Sequence, residues 1–221
     1  MLETAGPLAG GCGQRNYPAI SRKQGVLVGG SPFACNSRWG RNMSVGEFER
    51  EQRRVAWGMG AALVTAIVVI AFGVGADRAL GPIPFTQRVA FTIRADAFVI
   101  LWLAAGIANV ARMRFFSAQD IAGSSVARAS EKVREARAIL QNTLEQAMLA
   151  IGAHLIVAAT FSQARMSIVA LVCLFGVGRL LFWIGYRRGA AARAYGFGLT
   201  FYPSLMALVA CAATIAVGSA A

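Results

Sequence analysis

Five long apolar stretches separated by short polar or basic connections dominate the chain. Residues 55–76 are 22 uncharged residues in succession. A bilayer core about 30 Å thick needs roughly 20 helical residues, so this run predicts a transmembrane helix. A short polar helix is expected before it, in M-S-V-G-E-F-E-R-E-Q-R-R from Met43. Asp77, Arg78, Gly81, Pro82 and Pro84 predict a turn. Residues 89–111 predict a second span, with Arg94 and Asp96 near its start. The helical pattern of residues 131–161 would run ~46 Å at 1.5 Å per residue, so its basic first turns should stand out in water. A tight connection at 162–165 leads to a fourth span, 166–186, interrupted only by Arg179. Residues 194–216 form the fifth, with Pro203 expected to kink it. Runs this long and uniform argue against a β-barrel, whose strands alternate over ~10 residues. The expected fold is therefore all-α, a polytopic membrane helical bundle.

Residues 1–42 differ from the rest. They are rich in Gly, Pro, Ser and Arg and have no apolar periodicity or signal-peptide core. Too little apolar content is present to offset the entropy of ordering, so a disordered, dispensable leader is expected. Met43 reads as a second, natural chain start. A basic arm on anionic headgroups is the weaker alternative, because its basic residues are scattered. The expected organisation is leader 1–42, polar segment with first span and turn 43–88, and bundle 89–221.

Composition supports a membrane protein: 57% of the 221 residues are hydrophobic and 14% charged, against roughly 25% charged in soluble domains. The net charge is +12. In a soluble chain that would suggest nucleic acid; in a chain this apolar it suggests cytoplasmic loops, which carry excess Arg and Lys. Eight basic residues precede the first span, six lie in 112–137 and three in 187–193, while the opposite connections hold Arg78 and Arg88, and Arg165. One orientation satisfies every loop: amino terminus in the cytoplasm, carboxyl terminus outside, in a bacterial inner membrane, with no nucleic acid partner. Four cysteines without C-x-x-C and a single histidine give no metal site.

Ionisable residues at membrane depth are candidates for function. In R-E-A-R-A-I-L-Q-N-T-L-E-Q, Arg134, Ala138, Asn142 and Glu145 fall near one helical face, with Arg137, Gln141 and Glu145 in an adjoining stripe. The cluster either binds a ligand or hydrogen-bonds helices together. Arg179 and Tyr186, seven residues apart, share a face. Arg179 could snorkel, or bridge structurally to Glu145. Arg193 opens the last helix, as an anchor or as a catalytic group. His154, half a turn out of phase with Glu145, reads as a satisfied interior histidine. Arg94 and Asp96 are expected to pair with neighbouring helices or subunits.

R-A-I-L-Q-N-T-L-E-Q, G-R-L-L-F-W-I-G-Y and R-A-Y-G-F-G-L-T-F-Y-P resemble the MAPEG family, the membrane-associated proteins in eicosanoid and glutathione metabolism, over roughly residues 89–218. The resemblance implies four family transmembrane helices, here preceded by one extra amino-terminal transmembrane helix, assembled as a homotrimer. It implies glutathione as co-substrate, bound between subunits on the cytoplasmic side by Arg112, Arg137, Asn142, Glu145, Arg179 and Tyr186. Arg193 would lie beside the sulfur as the catalytic residue. The implied activity is glutathione-dependent transfer or peroxide reduction on a lipophilic electrophile entering from membrane lipid. A non-catalytic binding or scaffold protein of the same fold is the alternative. Gln141, Ala194 and Phe197 stand where the family often has Arg, a polar residue and Tyr, so weaker thiolate activation and a slow enzyme are expected.

Overall fold

A computed structural model describes residues 44–123 and 129–218. The expected leader 1–42 lies outside the described residues. Five helices, each long and apolar enough to cross a membrane, make up the described chain. They are α1 (Val45–Leu80), α2 (Phe85–Phe115), α3 (Glu131–Thr160), α4 (Arg165–Gly185) and α5 (Ala190–Gly218), with a 3₁₀ turn, Tyr186–Arg188, between the last two.

The polar segment and the first span are one continuous helix of 36 residues rather than two elements. Nothing between Glu47 and Ala76 breaks it, and Ser44 with Glu47 forms a reciprocal capping box at its start. Gly81, at φ 74°, and the following prolines end it. Ser130 caps α3 by accepting from the Val133 N–H. α5 runs through Pro203 without a break. Before α3, Asp120 is wholly buried, accepts from the Ser117 hydroxyl at 2.7 Å and accepts from the Ser130 N–H at 3.1 Å.

α4 and α5 lack side-chain caps of their own: Ala164 precedes one and Gly189 the other. Both are capped from α1. Asp77 accepts from the Met166 N–H at 2.6 Å, the Ser167 N–H at 2.9 Å and the Ser167 hydroxyl at 2.6 Å. At the other end Glu51 accepts from the Ala191 N–H at 3.1 Å. Helix starts present unpaired N–H groups and a partial positive charge, which a carboxylate satisfies. Asp77, read from sequence as a turn residue, is instead a buried cap. α1 thus runs alongside the bundle from the start of α5 to the start of α4.

Small residues bring the backbones together, as is common between membrane helices. A Cβ at Gly198 would meet the Ala62 side chain of α1 at 2.6 Å. A Cβ at Gly178 would lie 2.9 Å from the Gly196 carbonyl, and one at Gly196 would strike the Phe182 nitrogen and the Gly178 carbonyl. The obstacles at Gly196 are backbone atoms, which cannot step aside. Gly196→Ala is therefore expected to cost about 3 kcal/mol or more, the upper end for overpacking. The same change at Gly60, which meets nothing within 4 Å, is expected to be neutral or slightly stabilising. Thermal denaturation of the two variants in detergent checks the contrast; equal effects would refute the close α4–α5 approach.

Candidate functional site

The residues that converge do so where α4 ends and α5 begins. Arg179 is 1% exposed. Its Nη1 donates to Asn142 Oδ1 of α3 at 2.8 Å, and its Nη2 donates to Thr200 Oγ1 of α5 at 2.6 Å. The guanidinium also lies 4.6 Å from the Phe182 ring centroid, a cation–π contact. Two turns on, Tyr186 stands at the end of α4, its ring edge-on to Phe182 with centroids 5.6 Å apart. The Arg193 guanidinium, from the first turn of α5, lies 4.7 Å over the Tyr186 ring.

These groups border a cavity of about 500 Å³ lined by Asn142, Tyr186, Arg193, Phe182 and Phe197, among others. α1 contributes Val55 and Met59 to its wall. None of the lining residues is acidic. Arg179 sits behind the wall and orients Asn142 rather than lining the cavity. Phe197, stacked on Phe201 with centroids 5.7 Å apart, and Ala194 make one side apolar.

Asn142, Arg179, Tyr186 and Arg193 are therefore brought together. Arg112, Arg137 and Glu145 are not. Glu145 is exposed and accepts from Gln141 Nε2 at 3.0 Å. The bridge from Glu145 to Arg179 left open by the sequence does not form, because Asn142 faces α4 while Glu145 turns outward from α3. Arg137 is half-buried outside the cavity, and Arg112 is exposed near the end of α2, donating to Asn109 Oδ1 at 3.2 Å.

The sequence reading missed Thr200 and the α1 wall. A signal for Thr200 existed: it lies seven residues after Arg193, hence on the same face of α5. His154 is interior as expected, its Nδ1 2.5 Å from Asp96 Oδ1 of α2. Asp96 thus pairs with a neighbouring helix.

A family model, that of the MAPEG family, matches residues 89–213, more than half of the chain. The chain belongs to the MAPEG family. No characterised protein and no solved structure matches it. The match covers most of α2 and α5 and all of α3 and α4; α1 precedes it. In this MAPEG protein the helix outside the family segment nevertheless walls the cavity and caps α5.

The two carboxamide and carboxylate positions of α3 separate cleanly by test. Asn142→Leu removes an acceptor from a buried guanidinium and is expected to cost about 1.5–3 kcal/mol. Glu145→Gln should leave stability within about 0.5 kcal/mol, as for other exposed substitutions. Chemical denaturation in detergent without ligand checks this; collapse of the Glu145→Gln protein would show that the acid has a structural partner.

Proposed function

We propose that this MAPEG protein is an integral membrane glutathione-dependent transferase or peroxidase acting on lipophilic electrophiles, with the cavity at Arg193 as its thiol site. The observation that carries the reading is the Arg193 guanidinium held over Tyr186, in the first turn of α5, beside an otherwise largely apolar cavity.

A free thiol has a pKa near 8.5, so little is thiolate at neutral pH. A fixed guanidinium and a helix start both favour the anion. Glutathione brings this thiol with two carboxylates and one ammonium. Arg193, Tyr186 and Asn142 can serve the sulfur and one polar end. The remaining charges need groups beyond these. Arg112, Arg137 and Glu145 do not line the cavity within one chain, which suits a homotrimer in which a neighbouring subunit presents them. In the transfer reaction the thiolate attacks an electrophilic carbon, a carbon–sulfur bond forms, and the leaving group departs with the electron pair. The apolar wall of Phe182 and Phe197 suits a substrate arriving from membrane lipid.

Phe197 and Ala194 favour the second reading, a binding protein without turnover, because they withhold polar groups from the sulfur. Glutathione-dependent thermal stabilisation is expected under both readings; conjugation of an electrophile is expected only under the first. Arg193→Ala should lower kcat on the order of 10²-fold, the scale for losing one anion-stabilising donor. Arg193→Lys should recover only part, since an ammonium lacks the planar fork. Glutathione should also raise an ultraviolet thiolate band in the wild type at neutral pH. Saturable binding without that band would leave the binding reading standing and refute the activation.

The same proposal places the amino terminus and the Arg193 cavity in the cytoplasm, in a bacterial inner membrane. Cysteines introduced at Ala118 and Ser162 should then label from opposite sides, Ala118 from the cytoplasm. Labelling of both from one side would overturn the arrangement.

A further inference from the structure

At the opposite end of the bundle from Arg193, α2 and α4 enclose a groove of about 770 Å³. Its lining is apolar apart from one residue: Phe98, Trp102, Val172, Cys173 and Gly176 are typical, and Arg94 is the exception. Lining positions on α2 run from Phe91 to Ala105, about 21 Å at 1.5 Å per residue. That exceeds the half-thickness of a bilayer core, roughly 15 Å. The groove is open to its surroundings, with Phe98 64% and Leu101 61% exposed.

Arg94 has no partner among the described residues, although it lies within a membrane-spanning helix where an arginine is costly. Arg165, the first residue of α4, reaches the same end of the groove: its guanidinium is 5.9 Å from the ring centroid of Phe91, a lining residue three positions before Arg94, and its Nε is buried without an acceptor. Arg88 shows what satisfaction looks like here, donating to the Ala158 and Ile83 carbonyls at 2.8 Å each.

No described acid pairs with Arg94. Among the described residues the carboxylates at this end are Asp77 and Asp96, both buried. Asp77 is used by the start of α4 and Asp96 by His154. The other described acids lie on the first turns of α1, in the α2–α3 connection, or on the first half of α3.

We propose that this groove is a binding site for one anionic phospholipid, its phosphate on Arg94 and Arg165 and one acyl chain along Phe98, Trp102 and Gly176. The site is separate from the Arg193 cavity and does not rest on the catalytic reading.

Trp102 reports on the groove. The full-length protein, delipidated in detergent, is titrated with phosphatidylglycerol brominated on its acyl chains, or with equally brominated phosphatidylcholine. The emission lost in Trp102→Phe isolates the Trp102 signal. Phosphatidylglycerol is expected to quench that signal at a severalfold lower lipid fraction than phosphatidylcholine. Unbrominated phosphatidylglycerol should relieve the quenching, and unbrominated phosphatidylcholine should not, a comparison that needs no change at Arg94. Arg94→Gln should abolish the preference, and Gly176→Leu, which fills the groove, should reduce quenching by both lipids. Equal quenching by the two lipids in the wild type would overturn the proposal, leaving Arg94 a snorkelling anchor. Oxidative cross-linking of two chains through Cys173, undiminished by phosphatidylglycerol, would overturn it in favour of a second copy.

Discussion

A buried positive charge without a buried negative partner sets the geometry of this bundle. Arg179 satisfies two of its nitrogens on neutral acceptors, Asn142 and Thr200, and lays its face on Phe182. Removing partners from a buried charge costs several kcal/mol, so α3, α4 and α5 must hold one register at this level. That register delivers Tyr186, two turns along, beneath Arg193. It is attainable because Gly178 and Gly196 let α4 and α5 approach to backbone contact. Arg179 therefore shapes the cavity without entering it. No acidic side chain lines that cavity.

The amino-terminal helix is integral to the same geometry. α4 and α5 begin without side-chain caps of their own, and α1 supplies both from opposite ends, Asp77 to one and Glu51 to the other. Between these ends Ala62 packs on Gly198, and Tyr195 and Thr65 hydrogen-bond at 3.1 Å. Two caps at the ends of one long helix fix its position along the bundle more firmly than apolar packing, which tolerates sliding. Val55 and Met59 consequently meet the cavity at a fixed height. A helix outside the family-matched segment thereby decides how open the cavity is on that side.

Most of the architecture was legible because membrane spans announce themselves through uninterrupted apolar runs, and five such runs became five helices. Joining the polar helix to the first span was less so: a change of polarity at Arg54 looks like a boundary, but polarity does not break a helix and no Gly–Pro signal occurs there. Within the site, spacing along one helix was readable. Arg179 and Tyr186, seven apart, do share a face. Pairing between helices was not, since it depends on how each helix is rotated toward its neighbour. Glu145 looked the natural partner for Arg179 by charge, yet the neighbouring Asn142 occupies the inward-facing position. His154 was easier, because a lone histidine in an apolar run has to be buried and satisfied.

One electrostatic device recurs at both ends of the bundle. Acids and arginines are both present at each end, and simple pairing would neutralise them. One such pair forms, Arg187 with Glu135 at 2.8 Å, but Asp77 and Glu51 accept from backbone N–H groups at helix starts and Asp96 pairs with His154. A carboxylate that accepts two or three hydrogen bonds from a helix start gains the partial charge of that helix as well as the bonds, and is a poor candidate for a further ion pair. Asp77 and Asp96 are thereby committed away from Arg94, at their own end of the bundle. At one end Arg193 faces a cavity that a thiolate would suit, and at the other Arg94 faces a groove that an acyl chain would suit. In a chain of net charge +12, the proposed anion site at Arg94 thus depends on where the few carboxylates are committed more than on how many arginines there are.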